Sequence, residues 1–344
     1  MKRNKSSFKL RGINYYFFRC DGTYFYDFLC EHLGLEKKND YSRNRKRIQG
    51  IISDIEPDIL LLCGAENPYY SLGALDVHNC PVYVILQTLL NTPQRIEMGV
   101  GDAYRRDKEI EIFRHAHFFT AGAPISKQKI SKYNKDAKFL PCGFPTHRPI
   151  ISLPTKRDFD FVFFSRIISK SKGIEDVFRA MHIVKGRYIN VSINVIGMCN
   201  DEYKKKLDEI IRELQLGNNV IFSGYFDSIE EMYSNVVRAD AVVVPGITAG
   251  LNSTVRESML LGLPTICYET QVSKNINHDD ICLLTAQMGN VDELGKLMIL
   301  TLENPEYSKS VAIKGKEYAE RVFSNETIVN RLIDNCRLII EKKI

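Results

Sequence analysis

ADAVVVPGITAGLNSTVRESMLLGLPTIC, residues 239–267, carries a complete strand–loop–helix–strand pattern. Ala241 to Val244 is a short apolar run of the kind buried in a parallel sheet, closed by Pro245-Gly246. Small and polar residues follow from Ile247 to Asn252, and Ser253 or Thr254 can N-cap a helix. That helix places Val255, Met259 and Leu260 on its apolar side and Arg256 and Glu257 in its first turns. Gly262 stops it, Pro264 blocks its continuation, and Thr265 to Cys267 begins another strand. Open α/β sheets bind ligands at such a loop, beyond the C-terminal end of a strand. The free N–H groups of the helix start attract phosphate, and Glu257 can accept from a pair of ribose hydroxyls. An ordinary cap followed by a surface Glu accounts for the same residues.

The surrounding chain repeats the pattern. Phe159 to Phe164 is an aromatic strand followed by the polar stretch Ser165 to Gly173, read as a loop, and a helix from Ile174 to Lys185. A strand from Val191 ends at Gly197, and an amphipathic helix runs from Asp201 to Leu216. Val220 to Phe222 is a strand ending at Gly224-Tyr225, and a helix covers Ile229 to Val237. Upstream, strands are expected at Ile13–Phe18, Asp58–Cys63, Val82–Leu86, Phe118–Thr120 and Lys138–Leu140, and helices at Tyr24–Leu33, Ile48–Ile55, Ala103–Phe113 and Ala123–Tyr133. This alternation predicts parallel, helix-covered sheets. The proline-rich segment Gly143 to Lys156 is the natural domain boundary.

Composition narrows the functional classes. The 344 residues suffice for two cores, 44% are apolar, and the net charge is only +5, which hints at anionic ligands without demanding nucleic acid. Nine scattered cysteines without a CxxC pair fit reduced thiols in a cytoplasm. No apolar run is long enough to span a bilayer, and no signal-peptide core is present. The basic run Arg43–Arg47 reads as a solvated helix face or as a patch for anionic lipid. His115 and His117 form no ligand set with the other histidines, so no metal or cofactor is expected. The tyrosine pairs Tyr15-Tyr16, Tyr24/Tyr26 and Tyr69-Tyr70 are read as packing or, less simply, as sugar-stacking surfaces.

Four strand ends, at Ser165, Gly197, Gly224 and Pro245, should meet on one sheet edge. Arg166 and Lys172, beside the first, can clamp a departing diphosphate because fixed cations stabilise its charge. Solvated surface charge is the plain alternative for each.

The order Ser165-Arg166-x5-Lys172-Gly173, then Val195-Ile196-Gly197, then Val220-x-Phe222-x-Gly224-Tyr225, then Tyr233 with Ala239-Asp240, then Arg256-Glu257-Ser258-Met259-x-x-Gly262-x-Pro264 resembles the donor domain of retaining GT-B glycosyltransferases of family four. The likeness is close from Phe161 to about Thr270 and looser elsewhere. It implies an α/β, GT-B architecture of two Rossmann-like domains facing across a cleft. Residues 1–148 would form the acceptor-side domain, 149–325 the nucleotide-sugar domain, and 326–344 a terminal helix returning to the first. Arg166 and Lys172 would be catalytic, holding the diphosphate. Ser165, Gly197, Gly224, Tyr225, Gly250, Leu251, Asn252, Ser253, Thr254 and Glu257 would bind the donor, with Glu257 on the ribose. Glu66 and Gln87 would lie on the acceptor side, and Glu66 can equally be a loop cap.

The implied partners are a nucleotide-diphosphate sugar and a glycan or lipid-linked acceptor, with no nucleic acid and a possible peripheral contact at the inner membrane face. The implied reaction is hexosyl transfer with retention, in cell-surface polysaccharide synthesis. Three departures stand beside the likeness. Ala249 occupies the family's second acidic position, Gln87 stands where a His is usual, and the family's opening strand, Gly-rich loop and helix have no match before Ile13. The last predicts an incomplete first domain, through truncation or a wrong start codon. A degenerate, non-catalytic nucleotide- or glycan-binding partner is therefore the second reading, and a sugar-nucleotide epimerase a third.

Overall fold

The computed structural model describes residues 5–18, 33–35, 39–97, 99, 101–121, 124–143, 146, 151–247 and 251–342. The chain divides into two compact units, Met1–Gly143 with Arg331–Ile344, and Phe144–Asn330.

The first unit opens with an antiparallel hairpin, β1 (Lys5–Leu10) and β2 (Ile13–Phe18), turning at Arg11-Gly12. Helix α1 (Ser42–Ile55) follows, then β3 (Leu60–Cys63), α2 (Pro68–Ser71) with a 3-10 turn over Leu72–Asp76, and β4 (Val82–Ile85). The short α3 (Pro93–Glu97), α4 (Ala103–His115), β5 (Phe118–Ala121), α5 (Pro124–Ser131) and β6 (Lys138–Pro141) complete this run. Strands β3 to β6 form one parallel sheet in sequence order. Its core packs Phe113 edge-on to Phe119 at 6.0 Å. The fully buried Tyr83 accepts a hydrogen bond from the Asn335 amide at 3.1 Å, and the same amide donates to the Pro141 carbonyl at 3.0 Å.

The second unit holds β7 (Phe159–Ile167), a 3-10 turn at Lys170–Lys172, α6 (Ile174–Lys185), β8 (Ile193–Met198), α7 (Asp201–Glu213) and β9 (Val220–Gly224). Then come α8 (Ile229–Val236), β10 (Ala239–Val243), α9 (Ser253–Leu261) and β11 (Thr265–Tyr268). Helix α10 (Gln271–Ile276), β12 (Leu284–Ala286), α11 (Val291–Glu303), α12 (Pro305–Phe323) and α13 (Asn325–Ile340) close the chain. The sheet is parallel throughout, in the order β12-β11-β10-β7-β8-β9. Both faces of β7 are covered: Phe161, Phe163 and Val162 are fully buried and Phe164 is 1% exposed. Helix α6 seals one of those faces because Ile174, Val177, Phe178, Met181 and Val184 recur on a single helical stripe, all fully buried. From β7 the chain moves outward to β8 and β9, then returns to β10 on the other side. The crevice beside β7 is therefore the topological switch point of the sheet, where open α/β folds bind ligands.

Several sequence expectations change. Ile13–Phe18 is a strand, but of the hairpin and not of a parallel sheet, because Lys5–Leu10, unread as a strand, pairs with it. Of the expected strand Asp58–Cys63 only Leu62 is buried, since β3 lies at the sheet edge and Leu61 is 38% exposed. The basic run lies in α1, where the Arg45 guanidinium is bonded to the Asp76 carboxylate. Strand β7 runs on through Ser165, Arg166 and Ile167, past a bulge, where a loop was expected. The residue at the N-cap of α9 is Asn252, and Ser253 opens the helix proper. The expected helix Tyr24–Leu33 lies almost wholly outside the described residues. No helix among the described residues is long and apolar enough to cross a membrane.

Candidate functional site

In the second unit a cavity of about 530 Å³ opens at the C-terminal edge of β7 and β8. Two glycines, Gly197 in its wall and Gly173 next to Lys172, fix the backbone around it. Gly197, at φ +144°, lies against β7 so closely that a Cβ there would be 2.0 Å from the Ser165 carbonyl oxygen. Gly173, at φ +78°, turns the chain from the 3-10 turn into α6, and a Cβ on it would lie 2.0 Å from the Pro245 carbonyl oxygen. Only glycine fits either position. The loop after β10 is tied to the same turn by Ile247 N–H donating to the Ser171 carbonyl at 2.9 Å.

The walls bring together residues far apart in sequence. Ser165 and Arg166 come from β7, Lys172 from the 3-10 turn, Gly197 from β8, Tyr225 from the end of β9, and Ser253, Thr254 and Glu257 from α9. Ser165 is buried, its hydroxyl donating to the Ile167 carbonyl at 3.0 Å. Arg166 is exposed and Lys172 half-buried. Thr254 is buried, and Ser253 exposes the first turn of α9. The helix presents its unpaired N–H groups there, as helix starts do.

Glu257 is the acidic wall. Burial pushes its carboxyl above the ordinary carboxylate range, against a hydrogen bond from the Tyr233 hydroxyl and the nearby charges of Arg256 and Lys172. Tyr233 also lines the cavity, is 1% exposed, and packs its ring edge-on to Phe164 at 6.3 Å. Its phenol is raised in pKa, chiefly by burial and then by the facing carboxylate. The sequence marked Tyr233 only as part of a pattern. That pattern gave no sign of the hydroxyl's partner. Phe226, Ile229 and Met232 add an apolar end to the cavity beside Tyr225, which is 46% exposed.

Other expected site residues stand apart. Gly224 ends β9 at φ +75°, one residue before the cavity wall. Leu251 and Asn252 are half-buried at the head of α9, and Leu251 packs against the core. Gly250, with Ala249, lies outside the described residues.

In the first unit, Glu66 is 6% exposed, and its carboxyl folds back over Gly64, whose Cβ would lie 2.6 Å from Oε2. Desolvation raises its pKa, with the Arg105 charge opposing. The Arg105 guanidinium donates to the Glu66 carbonyl at 2.9 and 3.0 Å and to Asn67 Oδ1 at 2.9 Å. Gln87 is exposed on the loop after β4. That loop is held from beneath by Glu109, which is fully buried on α4 and accepts the N–H groups of Leu90 at 2.9 Å and Asn91 at 3.2 Å. Burial pushes the Glu109 carboxyl up to about 7. Among the described residues no group of three or more His, Cys, Asp or Glu is placed to hold a metal ion.

Residues 148–318, just under half of the chain, match the family described as glycosyl transferases group 1. No curated protein matches the chain in sequence. Solved structures match it in fold. A sucrose-phosphate synthase from Thermosynechococcus elongatus gives a TM-score of 0.71 at 16% identity, over 87% of this chain and 77% of that one. Anabaena Alr3699/HepE, in complex with UDP and glucose, gives 0.67 at 16% identity over 84% and 81%. A TarM mutant from S. aureus, in complex with fondaparinux, alpha-GlcNAc-glycerol and UDP, gives 0.68 at 14% identity over 84% of this chain and 58% of that one. The chain therefore has the α/β, Rossmann-like fold with parallel sheets of GT-B glycosyltransferases. The family match lies within the second unit, and the neighbours show the fold.

Proposed function

We propose that the protein transfers a hexose from a nucleotide-diphosphate sugar to a glycan or lipid-linked acceptor with retention of configuration, in cell-surface polysaccharide synthesis. The observation that carries this is one cavity lined by Arg166 and Lys172, the open start of α9, and Glu257. Two cations and a helix N-terminus suit a diphosphate, and a partly buried carboxylate suits the vicinal hydroxyls of a ribose. In this reading Arg166 and Lys172 stabilise the charge that develops on the leaving diphosphate, which is the largest single contribution such a site can make. The apolar end at Phe226, Ile229 and Met232 receives the base. UDP is the first nucleotide to try, since the Anabaena and S. aureus structures are complexes with it.

A titration calorimetry series with UDP, GDP and ADP, followed by the matching nucleotide sugars with turnover assayed, tests the proposal. Saturable binding of one diphosphate, lost in Arg166→Ala, is the expected result. Failure of all three to bind would overturn it. A second reading, a non-catalytic binding partner, draws on Gln87, an exposed amide where the resemblance places a His. Tight donor binding with no turnover on any acceptor would favour that reading.

A further inference from the structure

Tyr233 belongs to the family pattern, yet neither the pattern nor the diphosphate reading gives its hydroxyl a task. A phenol that is 1% exposed normally finds a partner. Here the partner is a carboxylate on the wall of a cavity that Tyr233 itself lines. The ring cannot swing away, because Phe164, also in the wall, packs edge-on against it and both side chains are buried. Helix α8 is fixed in turn by Ser228, whose hydroxyl accepts the Glu231 N–H at 3.2 Å at its N-cap. The hydroxyl is thus a donor delivered at one place by a rigid frame.

We infer that Tyr233 is a positioning residue: its buried hydroxyl fixes the rotamer of Glu257, so that the remaining carboxylate lone pairs face the cavity and take the two ribose hydroxyls of the donor. A carboxylate has about four acceptor sites, and the phenol occupies one. Without that donor, Lys172 and Arg256 are the charges left to orient Glu257. A Glu257 turned away toward those charges would abandon the ribose, while the diphosphate keeps Arg166 and the start of α9. The hydroxyl therefore acts through Glu257 and touches no substrate. The inference rests on the nucleotide-sugar reading.

The test is a double-mutant cycle read by calorimetry, with the wild type, Tyr233→Phe, Glu257→Gln and the double variant. Each is titrated with the ribonucleoside diphosphate that the wild type binds and with its 2′,3′-dideoxy analogue. Tyr233→Phe should weaken the ribonucleotide about tenfold and leave the dideoxy analogue within about twofold. In the Glu257→Gln background the same change should have little further effect. Equal losses for both nucleotides, or additive losses in the double variant, would overturn the inference while leaving the donor reading standing. A wild type that binds no diphosphate removes both. Unfolding midpoints establish that Tyr233→Phe is folded. Should it not be, 3-fluorotyrosine at position 233 keeps the ring and makes the hydroxyl a stronger donor. The preference for ribose over dideoxyribose should then rise, and an unchanged preference would count against the inference.

Discussion

After β3 and β4 the first unit uses charged side chains to hold backbone, whereas after β7 the second turns them toward a cavity. Arg105 binds the Glu66 carbonyl and Asn67, and Glu109 lies fully buried beneath Leu90 and Asn91. In the second unit Arg166 is exposed with no partner among the described residues, and Lys172 and Glu257 line the same space. The scaffolds are alike, parallel strands followed by polar loops. The difference lies in what fixes each loop. Around its cavity the second unit uses backbone and glycine, as at Gly173 and Ile247, and so leaves side chains there for a ligand. The first uses side chains at the loops after β3 and β4.

Four changes test that contrast. Lys172→Ala should lower turnover of the nucleotide sugar by roughly a hundredfold or more while the unfolding midpoint stays near that of the wild type. Unaltered turnover would remove the distinction. Glu109 should make stability pH-dependent. Its folded pKa, about 7, lies above the ordinary carboxylate value, so its contribution is intact below pH ~4.5 and is lost as pH rises through about 7. Denaturant titrations from pH 5 to 8 should show a fall of up to about 3 kcal/mol, absent in Glu109→Gln. Gly173→Ala puts a Cβ at φ +78° against the Pro245 carbonyl and should cost about 2 kcal/mol or more, with loss of diphosphate binding. Gln87→Ala, at an exposed position, should change stability by less than about 0.5 kcal/mol. A larger loss there would show that this loop too relies on an unrecognised side-chain contact.

The second unit was the more legible in sequence, for reasons that follow from burial. Phe161 to Phe164 and Ala241 to Val244 are apolar on both faces, as strands under two helix layers must be, and Gly262-x-Pro264 marks a helix stop that nothing else imitates. Ser165, Arg166 and Ile167 read as loop because the outermost residues of a strand that edges a cavity carry polar side chains. Asn252 and Ser253 are both good caps by type, so composition alone could not choose between them. Strand β1, with Lys5, Ser6, Ser7 and Lys9, lacks the apolar run of a buried strand, and the short α10 and β12 carry too little pattern. Glu109 was the least legible. It sits among the charges of Arg105, Arg106, Asp107, Lys108 and Glu111, and only the path of a distant loop makes it the buried one.

The contact between Gly173 and Pro245 has a mechanical consequence. The turn after β7 and the loop after β10 touch where no side chain fits, and a hydrogen bond from Ile247 to Ser171 closes the join. They therefore behave as a single strut anchored to two adjacent strands. Lengthening either segment by one residue would displace the other, so the spacing between Arg166 and Gly173 is a fixed gauge and cannot drift like that of a surface loop. A ligand reaching Lys172 meets a part already set in place by the sheet, and little ordering entropy remains to be lost on binding.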